Sequence, residues 1–127
     1  FWLAREDDRD ADALPDPAQW PAVAVLIPAR DEAATIGPVV RALLAQDYPG
    51  QFTVTVVDDR GTDGTGALAA AAGARVVQGG ARPPGWSGKL NALRQGLEAT
   101  AGEDHALLLF TDADIAHAPD SLRMLVR

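Results

Sequence analysis

Leu107-Leu108-Leu109-Phe110 is an apolar run that stops abruptly at Thr111-Asp112-Ala113-Asp114. An unbroken apolar run of this length suits a strand covered on both faces, and ligands of open α/β sheets lie beyond the carboxyl ends of such strands. In extended backbone, residues two apart share a side, so Asp112 and Asp114 can offer oxygen donors to one hard cation, Mg²⁺ or Mn²⁺. The pattern alone carries little weight. Asp-x-Asp recurs at Asp8/Asp10 and Asp10/Asp12 with no apolar run before it. Position after a strand is what distinguishes the third copy.

The rest of the chain repeats the same alternation. Val23 to Ile27 is a short apolar run closed by Pro28, and reads as a first buried strand. Ile36, Val39, Val40, Leu43 and Leu44 then recur at helical spacing, with Thr35 as N-cap and Pro38 tolerated in the first turn. Phe52 to Val57 is a second strand ending at Asp58-Asp59. A glycine-rich loop, residues 60–65, leads into an alanine-rich helix over 65–72, and a short third strand follows at 75–77. Residues 78–88 are a loop. Lys89 opens a helix in which Leu90, Leu93 and Leu97 define the expected apolar face, ended by Ala101-Gly102. The run at 107–110 is the fourth strand, and Pro119-Asp120 starts a last helix. Such β-α alternation predicts an α/β fold, a mostly parallel sheet with helices on both faces.

Residues 1–21 stand apart. Within the first 20, six acids face two bases, so four of the seven net negative charges sit there, and Pro15, Pro17 and Pro21 interrupt any period. This stretch reads as an acidic linker or juxtamembrane arm, with the domain proper at 22–127. Phe1-Trp2-Leu3 before Arg5 suits either the trailing edge of an upstream membrane helix or a plain apolar tail. A net charge of −7 excludes a basic nucleic-acid surface. No cysteine means no disulfide framework, thiolate zinc site or thiol nucleophile. No run of about 18 apolar residues is present to span a membrane.

Three polar clusters fall at predicted strand ends: Arg30-Asp31-Glu32, Asp58-Asp59 and Asp112/Asp114. Each alone has a plain structural explanation, since Asp and Glu cap helices and shape turns. Their convergence at one edge points instead to a nucleoside diphosphate held through a divalent ion, because carboxylates suit the cation and not the phosphate. Lys89 is the only lysine, and at a helix N-terminus it suits an anion. The segment is not a P-loop: Pro83 stands where the first glycine belongs, and Leu90 replaces the Ser or Thr that would bind Mg²⁺. Trp86 is equally suited to covering a ligand or packing its loop. His105 and His117 have no metal spacing and read as surface or structural residues.

Taken in order, Val23-Ala-Val-Leu-Ile-Pro-Ala-Arg-Asp-Glu32, Val56-Val-Asp-Asp59 with Asp63-Gly-Thr65, Gly88-Lys-Leu-Asn-Ala-Leu93 and Thr111-Asp-Ala-Asp114 resemble successive motifs of family 2 glycosyltransferases with the Rossmann-like GT-A fold. Pro84-Gly-Trp-Ser-Gly-Lys89 and the run from Thr111 to Asp120 look most like the hopene-associated, membrane-tethered bacterial branch. The resemblance covers about residues 22–127, the nucleotide-binding half.

It implies that Pro28, Ala29 and Glu32 line the nucleotide pocket, and that Asp59 meets the base. Lys89 would lie near the diphosphate, Asp112 on the ribose or metal side, and Asp114 on the divalent ion. Asp31 departs from the family's usual Asn and adds charge beside the pocket. The implied reaction is inverting transfer from a nucleotide diphosphate sugar, a UDP-sugar favoured, to a lipid acceptor at the cytoplasmic face of the inner membrane, with attachment through segments outside this chain. The base that deprotonates the acceptor lies downstream in the family, so no catalytic residue is assigned here. As the N-terminal part of a longer protein, the piece itself is expected to be soluble, to bind nucleotide and metal weakly, and to transfer no sugar.

Two other enzymatic readings fit less well. A haloacid-dehalogenase-type phosphatase also ends an apolar strand in Asp-x-Asp, but on its first strand and with Thr or Val where Ala116 stands. A dinucleotide-binding site at Gly64-Thr-Gly66 lacks the acidic residue expected about 20 positions on. A non-catalytic nucleotide-binding domain is the remaining alternative.

Overall fold

The computed structural model describes residues 2–5 by their backbone course, and residues 20–81, 83–103, 105–115 and 117–126 in full. Five strands, β1 (Trp2–Arg5), β2 (Val23–Ala29), β3 (Phe52–Asp58), β4 (Arg75–Gln78) and β5 (Leu107–Phe110), form one sheet in the order β1-β5-β2-β3-β4. The helices are α1 (Ile36–Leu44), α2 (Thr65–Ala71), α3 (Gly88–Thr100) and α4 (Ser121–Val126). Strands β5, β2, β3 and β4 run parallel, and β1 adds to the β5 edge antiparallel. The α/β architecture is therefore the expected one.

The alternation of side chains along β2 sorts its residues between two layers. Val23, Val25 and Ile27 pack with Val54 and Val56 against Ile36, Val39, Val40 and Leu43 of α1 and Leu122 and Val126 of α4. The opposite face, with Leu26 and Val57, receives α3. The two central strands are buried on both sides, which explains their continuous apolar sequence. Pro28 extends β2 instead of closing it. It falls beyond the last β2–β5 pair, Leu26 with Phe110, so its missing N–H costs the ladder no bond.

Two expectations are corrected. Trp2–Arg5, read as part of a linker, forms strand β1 paired from Trp2–Phe110 to Arg5–Leu107; residues 6–19, which hold the acidic run and the other two Asp-x-Asp copies, lie outside the described residues. On α3 the apolar face is not the leucine face: Leu90 and Leu97 are exposed, and the buried side is Asn91, Ala92, Gly96 and Thr100. The cause is a close approach of helix to sheet. A Cβ on Gly96 would lie 3.0 Å from Val57 Cγ2, so only small residues fit.

Candidate functional site

The carboxyl ends of β2, β3 and β5 and the first turn of α3 enclose a cavity of about 460 Å³. Its walls are Pro28, Ala29, Arg30 and Glu32 after β2, Asp59 after β3, Gly88, Lys89 and Ala92 on α3, and Asp112, Ala113 and Asp114 after β5. All seven residues singled out from sequence as a candidate site are among them. Parallel strand direction is the reason: every strand end that carries a polar cluster opens on the same edge.

The other members of the polar clusters do different work. Asp58 is buried and its Oδ1 accepts the Gly61 N–H at 3.2 Å, shaping the turn after β3. Asp31 is in the left-handed region (φ 53°), a conformation that Asn and Asp tolerate best among side-chain-bearing residues, and its Oδ1 accepts the Thr62 N–H at 2.7 Å. Asp63 returns the connection, its Oδ2 accepting from Ala33 N–H at 3.0 Å, while Thr65 Oγ1 accepts from Glu32 N–H at 2.9 Å. The β2–α1 and β3–α2 loops are thereby cross-linked beneath the cavity. The Thr65 hydroxyl, and after it the Ala33 N–H, hold the Asp63 carboxyl below its ordinary range.

On the other side, the α3 helix begins with Ser87 as N-cap, its Oγ accepting the Leu90 N–H at 3.1 Å. That cap sets Gly88 and Lys89 in the cavity wall, where the Lys89 ammonium pairs with the Asp112 carboxylate. Both partners are substantially exposed, 63% and 47%, so the pair places charge without adding much stability. Trp86 is exposed, with the Arg94 guanidinium of α3 5.5 Å from its ring centroid, and does not line the cavity.

Sequence reasoning missed the residues that hold the Asp112-Ala113-Asp114 turn. Thr35 Oγ1 donates to Ala113 O at 3.0 Å, and Gln46 Nε2 donates to Ala118 O at 2.7 Å while its Oε1 accepts from Leu122 N–H at 2.8 Å. Asp47 N–H donates to Pro119 O at 2.7 Å. His117 is buried, and its Nε2 shares a 2.8 Å hydrogen bond with Thr111 Oγ1. Burial also pushes the imidazole below its ordinary pKa. His117 is thus structural. The available signal was Pro38, which deprives the Thr35 side chain of the N–H it would ordinarily cap three residues on.

The donor set fits a hard divalent cation that shares its shell with a ligand. Among the described residues, no three acid or imidazole side chains gather to hold a metal by themselves. One or two carboxylates with substrate phosphates is the usual Mg²⁺ arrangement, and Asp112 and Asp114 at the cavity are a carboxylate pair of that kind.

A family profile described as glycosyl transferase family 2 matches residues 24–127. The chain belongs to that family. Among characterised proteins, the β-monoglucosyldiacylglycerol synthase of Synechocystis sp. is 35% identical over 123 residues, covering 92% of this chain and 24% of its own length. The protein of the same name from Nostoc sp. is 34% identical, covering 84% and 23%. Among solved structures, the mannosyltransferase PcManGT of Pyrobaculum calidifontis in complex with GDP-Man and Mn²⁺ superposes with a TM-score of 0.68 at 28% identity, covering 91% of this chain and 34% of that one. The glucosyl-3-phosphoglycerate synthase of Mycobacterium tuberculosis in complex with Mg²⁺ and UDP gives 0.60 at 32% identity, covering 78% and 36%. This chain of the family therefore spans about a quarter of the relatives named for a diacylglycerol lipid. These relatives give no support to the hopene-associated branch or to a hopanoid product, and that expectation is withdrawn.

Proposed function

We propose that this chain is the donor-binding part of an inverting glycosyltransferase. The protein it belongs to would move a hexosyl group, glucosyl by the names of its relatives, from a nucleoside diphosphate sugar to a lipid acceptor of the diacylglycerol class. The observation that carries this is the convergence of Asp59, Lys89, Asp112 and Asp114 on one cavity. Asp59, buried just past the carboxyl end of β3, would accept a hydrogen bond from the base N–H; UDP is the favoured donor nucleotide. Pro28, Ala29 and Glu32 form the adjoining wall. Lys89 brings positive charge to the diphosphate position, and Asp112 and Asp114 would hold the divalent ion. When bound, Mg²⁺ or Mn²⁺ neutralises charge on the departing diphosphate. Lys89 and Asp112 hold each other, so the ammonium would lie beside a diphosphate bound next to the cation that Asp112 and Asp114 would hold.

The base that takes the acceptor proton, the acceptor pocket and the membrane attachment lie outside these residues in this reading, with the protein working at the cytoplasmic face of the inner membrane. No helix among the described residues is long and apolar enough to cross a membrane. The family match removes the support for a phosphatase. A regulatory nucleotide-binding domain is separated from a transferase by turnover. Full-length protein given UDP-glucose and diacylglycerol in mixed micelles is expected to form a glucosyl lipid with Mg²⁺ or Mn²⁺, and to lose that activity in Asp114→Ala. UDP binding without turnover of any nucleotide sugar would favour the regulatory reading. Sugar transfer by these 127 residues alone would contradict the division of labour.

A further inference from the structure

We propose that Thr35 is a positioning residue for the Asp112-Ala113-Asp114 turn, and that α1 serves as a bracket holding the segment from 111 to 122 at two places. This rests on the reading of Asp112 and Asp114 as the cation's protein ligands. Thr35 is the N-cap residue of α1, yet its side chain makes no capping bond. An N-cap hydroxyl ordinarily accepts an N–H two or three residues on. Here the third position is Pro38, which has none. The hydroxyl has a proton to donate whatever its lone pairs accept, and the nearest acceptor is Ala113 O at 3.0 Å; Glu32 O and Glu32 Oε2 stand farther off, at 3.4 and 3.5 Å.

Ala113 is the residue between the two carboxylates, and it is 4% exposed. Fixing its carbonyl fixes the Ala113–Asp114 peptide plane, which leads directly into Asp114 and starts one residue after Asp112. The other end of α1 completes the bracket: Gln46 and Asp47 grip Ala118, Pro119 and Leu122. Asp112, just before the first grip, is half-buried, and Asp114, just after it, is exposed. A turn built this way sets the backbone from which the two carboxylates project; Asp112 in addition holds the Lys89 ammonium. Metal ligands supported through neighbouring groups commonly lose about 10- to 100-fold in affinity when the support is removed.

The test compares Thr35→Val, which keeps shape and removes the donor, with Thr35→Ser, which keeps it, and with Asp114→Ala. UDP binding to the full chain is measured by calorimetry with and without Mn²⁺, and Mn²⁺ binding in the presence of UDP by electron paramagnetic resonance. Thr35→Val is expected to weaken Mn²⁺ binding about tenfold or more while metal-free UDP binding holds, and Thr35→Ser to restore it. Wild-type Mn²⁺ affinity in Thr35→Val, with Asp114→Ala impaired, would overturn the positioning role and leave the site standing. Equal loss of metal-free UDP binding in Thr35→Val would also overturn it, by showing a general structural defect. Unchanged Mn²⁺ affinity in Asp114→Ala would remove the cation site itself, and the positioning role with it.

Discussion

Replacing Gln46 by alanine should destabilise the fold by about 1–3 kcal/mol, although the residue is polar and does not line the cavity. Gln46 is 8% exposed and lies just beyond the last turn of α1. Its amide donates to Ala118 O at 2.7 Å and accepts from Leu122 N–H at 2.8 Å. That N–H is in the first turn of α4, where no intrahelical acceptor exists, so Gln46 caps α4 from a position 76 residues away. Truncation strands one buried donor, the Leu122 N–H, at a cost of about 1–3 kcal/mol, while Ala118 O keeps the Ser121 N–H at 3.0 Å. The amide orientation is fixed by its partners, nitrogen toward a carbonyl and oxygen toward an N–H. Gln46→Glu therefore sets a carboxylate against the Ala118 carbonyl at neutral pH, whereas its protonated acid reproduces the donor and acceptor. Urea denaturation should show a lower midpoint with unchanged slope for Gln46→Ala. The Gln46→Glu deficit relative to wild type should shrink on acidification through the carboxyl pKa. A Gln46→Ala stability within about 0.5 kcal/mol of wild type would refute the reasoning.

Lys89→Ala should leave the unfolding midpoint nearly unchanged, since exposed ion pairs contribute about 0–1 kcal/mol, but should weaken UDP binding measured by calorimetry. Asp31→Asn should be tolerated, because Asn also suits a positive φ and can accept the Thr62 N–H, whereas Asp31→Val should cost about 1–2 kcal/mol or more in urea titration. The folded pKa of Asp63 lies below its ordinary value of 3.8, so its contribution to stability is complete above that value and is lost as pH falls through the folded one. Thermal unfolding of Asp63→Asn should accordingly show a weaker loss of stability in that acid range than wild type.

The parallel sheet was legible because its strands are apolar runs that end in polar clusters, and parallel direction alone carries those clusters to one edge. Glu32, Asp59, Asp112 and Asp114 could be grouped on that basis with no knowledge of contacts, whereas Lys89 stands out by its helix start and Pro28 and Ala29 by the family resemblance. The face of α3 was not legible. Leucine spacing at 90, 93 and 97 pointed outward, because the helix seats so close to the sheet that Ala92 and Gly96 are what fit. Hydrophobicity ranks a residue by what it gains on burial, and close approach selects instead for what is absent. The supports of the acidic turn were hidden for a different reason. Thr35 and Ala113 are 78 residues apart, and Gln46 and Ala118 are 72 apart; bonds between one side chain and a distant backbone atom leave no periodic trace. Residue type alone does not distinguish Asp58 from Asp59, and only the family resemblance singles out Asp59; Asp58 accepts the Gly61 N–H, and Asp59 lines the cavity.

The central claim is that Asp112 and Asp114 make this cavity a metal-dependent nucleotide site. Calorimetric titration of UDP with and without Mn²⁺, on wild type and Asp114→Ala, tests it most directly. Tighter UDP binding with Mn²⁺ in wild type, and loss of that gain in Asp114→Ala, is the predicted result. Metal-independent UDP binding that Asp114→Ala leaves untouched would contradict it.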